Sequence, residues 1–364
     1  MHLVAAIDHN PAVRPVLGLF EGVVSGAADG YARMSGKSAA NLLHLGPGLG
    51  NAFANIHNAK KAYSPMINIV GDHASYHLKH NAPLTSDLDG LAKSSSDWVK
   101  RVSSPEQITQ CANDAWKAAN EAPGNIATLI VPADYAWSDI ESDLPKKVEL
   151  NNPKSVDNKL IEAAYKQLLM PNSMLYLGGK FLDEECLKFA AQIATKTGCR
   201  LVTDTFVSRI RRGAGLPIVQ QVPYFSEMAE DFLQGTESIV FIGTKPPVSF
   251  FAYPDKKSFL SPDEAELFEL CSVEENGYEA LALLSELSGS PKIANELIRP
   301  YIADVPTSGD LDVTTLGPLI ADIMPEESIV SDESATSSLI VTPHALQAKP
   351  HDCLALTGGS IGQG

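Results

Sequence analysis

Short apolar runs alternate with helical patterns along almost the whole chain of 364 residues. The runs at 39–45, 66–70 and 126–131 are typical of buried strands, and stretches of helical period lie between them. This alternation predicts parallel sheets covered by helices on both faces. With 44% hydrophobic and 20% charged residues, the composition excludes a disordered chain, a collagen-like fibre and a coiled coil.

The alternation is interrupted twice by polar segments without periodicity, at 138–157 and at 300–312. We therefore expect successive doubly wound α/β domains, and the third of them holds only two strands. Their predicted bounds are 1–140, 155–300 and 312–364.

The charge balance argues against nucleic acid as a partner. The chain has 28 basic and 44 acidic residues, a net charge of −16, which repels phosphate backbones. No run approaches the roughly 18 apolar residues that a membrane-spanning helix needs, so no membrane partner is expected. The first residues do not have the pattern of a secretory signal.

The cysteines indicate a reducing compartment. Five of them lie at wide spacings without a Cys-x-x-Cys pair, which favours a cytoplasmic chain over a disulfide scaffold or a zinc site.

Glu21 is the first candidate site residue. The pattern places it where a strand ends and a helix begins, at the sheet edge where open α/β sheets bind ligands. The alternative interpretation is a capping acid stabilised by the helix dipole. Gly22, Gly26 and Gly30 recur every four residues and predict a helix face without side chains. Such a face allows close contact with another helix, in the same chain or in a second subunit, and close packing on the sheet is the alternative.

Residues 43–51 predict a strand that runs into a glycine loop and then into a helix. Glycines in such a loop let backbone N–H groups approach a ligand, although Gly-Pro-Gly is also common in ordinary turns. The loop matches neither a dinucleotide fingerprint nor a P-loop. His44, at the end of the strand, is a candidate for proton transfer or a structural histidine.

His73, His77 and His80 have a spacing that would place them on one helix face, where they could bind a metal. No carboxylate accompanies them closely, and Pro83 ends the pattern. We expect a loop here, with one histidine near a substrate, and no metal site.

Two loops near the end of the chain predict an anion-binding edge. Residues 331–338 are rich in hydroxyl groups and follow one strand, whereas the glycine-rich residues 358–364 follow the next. Solvated turns are the alternative for each loop.

Taken together, these segments resemble the thiamine-diphosphate enzymes of the acetolactate synthase, benzoylformate decarboxylase and pyruvate decarboxylase superfamily. The position of His44 after Glu21 is similar to benzoylformate decarboxylase, and the Gly-Pro-Gly segment is similar to acetolactate synthase. The resemblance implies a pyrimidine-binding domain without its first strand and helix, a Rossmann-like central domain and the start of a diphosphate-binding domain. It rests on residues 20–37, 44–59, 214–225 and the terminal Gly-Gly-Ser-Ile-Gly-Gln-Gly.

The resemblance also implies roles for individual residues. Glu21 would hydrogen-bond a ring nitrogen of the cofactor's aminopyrimidine and thereby promote deprotonation of the thiazolium carbon. His44 would donate or accept a proton near the substrate. The residues implied in cofactor binding are Glu21, Gly46, Pro47, Gly48, Asn51, Ser337, Ser338, Gly359, Ser360 and Ile361.

The reaction implied is the decarboxylation of a 2-oxo acid, followed by carboligation (a transferase) or by aldehyde release (a lyase). The cofactors would be thiamine diphosphate and Mg²⁺, and the assembly a homodimer or homotetramer in which two subunits complete each cofactor site. The family's Gly-Asp-Gly motif, which holds Mg²⁺, has no counterpart, because the only Asp-Gly pairs are at 29–30 and 89–90. No metal ligand is therefore predicted in this chain.

Two other functions stay open from the sequence. The chain could be a non-catalytic fragment or structural partner of a complete homologue, because the metal motif is missing. It could also be a nucleotide- or CoA-binding protein that uses its central domain. FAD is not predicted, because flavin-contacting features are not evident in 174–290.

Overall fold

The computed structural model describes residues 2–141, 148–301, 305, 308–334 and 336–363, without the side chains of 338 and 339. Internal contacts divide the chain into two compact units. The first unit is Met1–Asn152 with Leu356–Gly364, and the second is Pro153–Ala355. The first division falls inside the non-periodic segment 138–157.

The first unit has four strands and six helices within its described residues. The strands are β1 (Ala39–His44), β2 (Met66–Asp72), β3 (Trp98–Arg101) and β4 (Ile126–Pro132). The helices are α1 (His2–Asp8), α2 (Glu21–Ser35), α3 (Leu45–Lys61), α4 (Leu88–Ser95), α5 (Ile108–Asn120) and α6 (Ala133–Trp137).

The four strands form one parallel sheet in the order β1-β2-β4-β3. β4 is buried on both faces, as expected for a central parallel strand. Ile126 and Ile130 pack in a core with α2, α3 and α4, whereas Ala127 and Leu129 pack on the other side against α5. The prediction of a parallel sheet covered on both faces is confirmed.

The second unit contains a larger and a smaller sheet. Its strands are β5 (Ser173–Leu177), β6 (Arg200–Thr203), β7 (Ile210–Arg212), β8 (Gln220–Gln221), β9 (Ser238–Ile242), β10 (Glu266–Cys271), β11 (Ile329–Asp332) and β12 (His351–Ala355). Its helices are α7 (Asn158–Leu168), α8 (Glu184–Thr197), α9 (Ser226–Leu233), α10 (Gly277–Leu287), α11 (Val313–Ile323) and α12 (Ser338–Ala345).

The larger sheet is parallel, in the order β10-β9-β5-β6-β8, and the smaller one has the order β11-β12-β7. β11 and β12 are parallel neighbours, whereas β7 joins β12 in antiparallel register, with His351 opposite Arg212. This pairing places the strands after residue 312 in the second unit. A separate third domain stays a prediction, and the α/β fold class is confirmed.

Sequence patterns did not predict the strands β3, β7 and β8 or the helices α1, α4, α6, α9, α10 and α12. β8 has two residues and β7 has three, which are too few to show the alternation of apolar and polar residues typical of a strand. β3 lies at the edge of its sheet and is only partly buried, so it has no continuous apolar run. Short edge strands depend on their neighbours for stability, and these neighbours are distant in the sequence.

The prediction that Glu21 follows a strand is wrong. α2 begins at Glu21, as expected, but residues 9–20 contain no strand and α1 lies before them. Pro11 and Pro15 interrupt this segment. Proline cannot donate to a strand ladder, so the segment is poorly suited to join the sheet.

Candidate functional site

Glu21 is held at the start of α2 by a residue of the next helix. Its Oε2 accepts a hydrogen bond from Asn51 Nδ2 at 3.1 Å. The positive end of the helix dipole at this position also favours a carboxylate. The Glu21 side chain therefore has one oxygen bonded to α3, and Oε1 has no hydrogen-bond donor among the described residues.

Gly48 keeps the space beside this second oxygen open. A Cβ at residue 48 would lie 3.4 Å from Glu21 Oε1 and 3.7 Å from the Cβ of His44. His44 is the last residue of β1, as predicted, and its side chain is exposed. The space that a side chain at residue 48 would fill thus borders Glu21 Oε1 and the Cβ of His44, at the carboxyl end of β1. We call this space the gap at Gly48.

The predicted glycine loop is instead the first turn of a helix. α3 begins at Leu45, so Gly46, Pro47 and Gly48 are helical. A proline is tolerated in the first turn because its missing N–H would have no partner there. Gly46 is required by packing, since a Cβ there would overlap the Ser86 side chain. Leu45 has φ 57°, a rare conformation that turns the chain from β1 into α3.

The glycine stripe of α2 packs within this chain. Asn55 Nδ2 donates to the Gly22 carbonyl oxygen at 2.8 Å, and a Cβ at Gly26 would lie 3.2 Å from the same Nδ2. Gly30 has no neighbour within 4 Å of an added Cβ. The predicted helix-on-helix contact is therefore the α2–α3 contact at Gly22 and Gly26.

The glycine-rich segment at the end of the chain belongs to the first unit and lies against α3. Asn58 Nδ2 donates to the Ser360 carbonyl at 2.7 Å, and the Ser360 amide donates to Asn58 Oδ1 at 3.1 Å. Asn55 Nδ2 also donates to the Gly362 carbonyl at 2.9 Å. The structure thus brings Ser360 and its neighbours to the helix that holds Glu21.

Further contacts fix the beginning of this segment. The Thr357 hydroxyl donates to the Asn58 carbonyl at 2.7 Å, and Arg33 donates to that hydroxyl at 3.1 Å. Gly359 has φ 69°, which only glycine adopts freely. Ile361 is 73% exposed, so its side chain has little packing within the chain.

Ser337 and Ser338 lie in the second unit. Ser337 precedes α12, and its side chain makes no capping hydrogen bond to that helix. Ser338 is the first residue of α12, and its side chain lies outside what the structure describes. Cofactor binding by this pair stays a prediction.

The histidine cluster forms a short stack of rings. The ring centroids of His73 and His77 are 5.5 Å apart, and those of His77 and His80 are 5.6 Å apart. The helix-face interpretation does not hold, because only Leu78–His80 form a 3₁₀ turn. Within the described ranges, no group of three or more His, Cys, Asp or Glu side chains could hold a metal.

Sequence reasoning missed Arg33, Asn55 and Asn58. Arg33 forms an ion pair with Asp29 at 2.6 Å, and both side chains are buried. The sequence does contain a pattern that indicates the two asparagines, because together with Asn51 they recur at i, i+4 and i+7 on α3. Buried amides at helical spacing need partners from another segment.

No helix in the described part of the chain is long and apolar enough to cross a membrane.

Known proteins match this chain both in sequence and in fold. The model of the thiamine pyrophosphate enzyme N-terminal TPP binding domain family matches residues 1–92. One relative is IlvX of Mycobacterium tuberculosis, whose name describes it as an acetolactate synthase large subunit. It is 41% identical to this chain over 372 aligned positions. That alignment covers 100% of this chain and 70% of the relative.

Two solved structures share the fold. A thiamin diphosphate-dependent enzyme of Mycobacterium smegmatis matches with a TM-score of 0.80 at 19% identity, covering 98% of this chain and 72% of that one. Benzoylformate decarboxylase of Polynucleobacter necessarius matches with a TM-score of 0.79 at 20% identity, covering 98% and 70%. The chain belongs to the thiamine-diphosphate-dependent enzyme superfamily, among proteins similar to acetolactate synthase large subunits.

Proposed function

We propose that this protein decarboxylates a 2-oxo acid with thiamine diphosphate as its cofactor. The product would be joined to a second carbonyl compound, as in acetolactate synthase, or released as an aldehyde, as in benzoylformate decarboxylase. The observation that carries the proposal is the Glu21 carboxylate, which Asn51 holds through Oε2 while Oε1 borders the gap at Gly48.

The first unit fits the aminopyrimidine end of this cofactor. Glu21 Oε1 would accept a hydrogen bond from a protonated ring nitrogen, and Gly48 places no side chain beside this oxygen. Asn51 would keep the carboxylate in place during proton exchange. Bound thiamine diphosphate would supply the thiazolium carbon that attacks the 2-oxo group and the electron sink for loss of carbon dioxide.

His44 would serve the substrate rather than the pyrimidine ring. Its side chain is exposed, and its Cβ borders the same gap at Gly48 as Glu21 Oε1 does. An imidazole at this position can give a proton to, or take one from, an oxygen of the substrate.

Mg²⁺ would accompany the diphosphate group. No group of metal-binding side chains lies within the described residues, so we assign no metal ligand to this chain.

We also propose a homo-oligomer, a homodimer or homotetramer. The outer side of α2 and the residues before it are apolar and exposed, with Leu19 at 95% and Val23 at 61%. Phe20 and Tyr31 extend the same surface. Exposed apolar surface of this kind marks an interaction site, and a second copy of the chain presents a matching one.

The five cysteines support a cytoplasmic location, since all of them are buried and free in the structure. Buried, unpaired thiols are usual in reducing compartments.

A cofactor titration tests the function. The chain is titrated with thiamine diphosphate at saturating Mg²⁺, and turnover of pyruvate and of benzoylformate is measured in parallel. We expect saturable binding and turnover of one substrate. Glu21→Gln should reduce turnover by at least about 100-fold, because the amide cannot act as a base. The exposed Glu106 provides the matched control, Glu106→Gln, which should be unaffected.

Two outcomes would contradict the proposal. Turnover that is unchanged in Glu21→Gln would exclude Glu21 from the reaction. Absence of cofactor binding, together with co-purification with a complete relative, would instead support the structural-partner alternative.

A further inference from the structure

The antiparallel pair of strands β7 and β12 has two faces that differ in their charge balance. Arg211 lies opposite Asp352, and Arg212 lies opposite His351. Because side chains alternate along a strand, each of these two pairs lies on its own face. On one face a positive charge is thus opposite a carboxylate, whereas on the other it is opposite an imidazole.

Acidic side chains neutralise the arginines of the first face. Arg209 Nε donates to Asp352 Oδ1 at 2.7 Å. Arg211 forms ion pairs with Glu327, with Glu184 at 3.6 Å and with Asp352 at 3.5 Å. A buried guanidinium needs such partners, because an unpaired charge away from water is strongly destabilising.

Arg212, on the other face, has no acidic partner among the described residues. It is only 5% exposed, and the one hydrogen bond of its side chain to a described residue runs from Nε to His351 Nε2 at 3.2 Å. Because Nε2 accepts this bond, the imidazole is neutral and leaves the charge of Arg212 uncompensated. The terminal nitrogens of Arg212 are not fully enclosed, so a small ligand can reach them.

Arg299 brings a second guanidinium close to Arg212. Its N–H donates to the Leu216 carbonyl at 2.9 Å, and its carbonyl accepts from the Gly215 N–H at 2.8 Å. The half-buried guanidinium has neither an ion pair nor a hydrogen bond within the described ranges. Burial lowers the pKa of Arg299, and the charge of Arg212 lowers this pKa further, so the two cations are near enough to repel each other.

Backbone contacts fix the turn at 213–216, which follows Arg212 and carries the contact with Arg299. A Cβ at Gly213 would lie 2.7 Å from the Lys349 carbonyl oxygen, and φ is 130° there, so only glycine fits. The Ala214 N–H donates to the Ala348 carbonyl at 2.8 Å. The two guanidiniums therefore extend from fixed backbone positions, as a preformed binding site requires.

We propose that Arg212 and Arg299 form a binding site for a phosphate group, which is either free phosphate or the phosphate of a small monoester. Arg212 has four N–H groups left after its bond to His351, and Arg299 has five. Together they exceed the roughly four lone-pair sites of a carboxylate. A phosphate group offers three oxygens and a charge of about −2, which matches two guanidiniums. The inference does not depend on the proposed function, because it involves neither Glu21 nor the thiamine cofactor.

Thermal unfolding and calorimetric titration with inorganic phosphate test this site, at about pH 8 and at an ionic strength kept constant with chloride. Arg299→Gln removes one guanidinium and leaves the bond between Arg212 and His351 intact. Arg200→Gln is the matched control in the same unit, because Arg200 donates to the Gln220 side chain and to the Phe232 carbonyl.

In the wild type, we expect saturable phosphate binding and a melting temperature that rises with phosphate concentration. Arg299→Gln should bind phosphate at least about ten-fold more weakly, because it loses charge-assisted hydrogen bonds. Without phosphate it should melt no lower than the wild type, since the repulsion between two like charges is relieved. Arg299→Lys keeps the charge without the planar fork and should have an intermediate affinity, whereas Arg200→Gln should bind as the wild type does.

A phosphate effect of equal size in the wild type and in Arg299→Gln would overturn the site, because phosphate also stabilises proteins by its general exclusion from their surface. Acetate that binds as tightly as phosphate would overturn the assignment of a phosphate group. Glycerol phosphate, titrated in parallel, identifies the source: tighter binding than that of inorganic phosphate supports a monoester, and equal or weaker binding supports free phosphate. If Arg299→Gln does not fold, Arg299→Lys replaces it in each comparison.

Discussion

Gly48 and Glu21 face each other across the contact between α2 and α3, and a Cβ at residue 48 would lie 3.4 Å from Glu21 Oε1. The carboxylate oxygen that Asn51 does not occupy is thus next to a residue without a side chain. Any other residue type at position 48 would place a side chain beside Oε1.

Gly48→Ala should fold well and bind the cofactor poorly. The added methyl group makes an ordinary van der Waals contact with Glu21 but occupies the gap. Alanine in a helix is more stable than glycine by up to about 1 kcal/mol, so the melting temperature should rise or stay equal. Calorimetric titration with thiamine diphosphate and Mg²⁺ measures the loss of affinity.

Gly50→Ala is the matched control on the same helix. A Cβ at Gly50 has no neighbour within 4 Å, so this variant should gain stability and keep its affinity. Equal affinities for the two variants would show that the gap does not receive the cofactor.

Val23→Glu should dissociate the proposed oligomer. Val23 lies on the exposed apolar surface of α2, and a charge buried against an apolar partner is strongly unfavourable. Sedimentation should give a smaller mass for this variant than for the wild type. Leu160→Glu, at an exposed position on α7, should leave the mass unchanged. An unchanged mass for Val23→Glu would place the interface elsewhere.

The cysteines should not react in the folded protein. Burial raises the pKa of Cys199 to about 11 and that of Cys271 to about 12, and it raises the pKa of the other three thiols as well. Because the thiolate is the reactive form, Ellman's reagent near neutral pH should label native protein slowly. All five should react in urea, and rapid native labelling would contradict their burial.

His351 should make the second unit less stable in acid. The Nε of Arg212 donates to His351 Nε2 at 3.2 Å, so Nδ1 carries the proton and donates to the Lys349 carbonyl at 2.8 Å. Burial lowers the pKa of His351, and Arg212 and Arg211 lower it further, against the opposing effects of Lys349 and Asp352.

A folded-state pKa below the unfolded value gives a stabilising contribution that is present above the unfolded pKa, about 6.5. This contribution is lost as the pH falls through the folded pKa. Urea unfolding at about pH 7.5 and about pH 5 should therefore show a larger loss of unfolding free energy in the wild type than in His351→Gln. The exposed His80 gives the control His80→Gln, which should behave as the wild type does. Equal losses in all three would contradict a depressed pKa.

Local patterns were sufficient for much of the fold. The spacing of apolar residues alone predicts the strands β1, β2 and β4 and the helix that starts at Glu21. This works because each buried position of a strand or helix requires an apolar residue at that place in the sequence. Local residue preferences predict a glycine loop at residues 45–48, but Gly46, Pro47 and Gly48 are helical. There Gly46 lies against Ser86, 40 residues away, and no local pattern shows this tertiary contact.

The sequence by itself determined the α/β class, the family resemblance and the candidates Glu21, His44 and Gly48, since these depend on residue types at short spacing. Only the tertiary structure decided that β7 pairs with β12 and that Ser360 lies on Asn58, 302 residues away. The physical reason is that buried backbone and amide groups must find hydrogen-bond partners wherever the fold brings them. No local pattern carries that information.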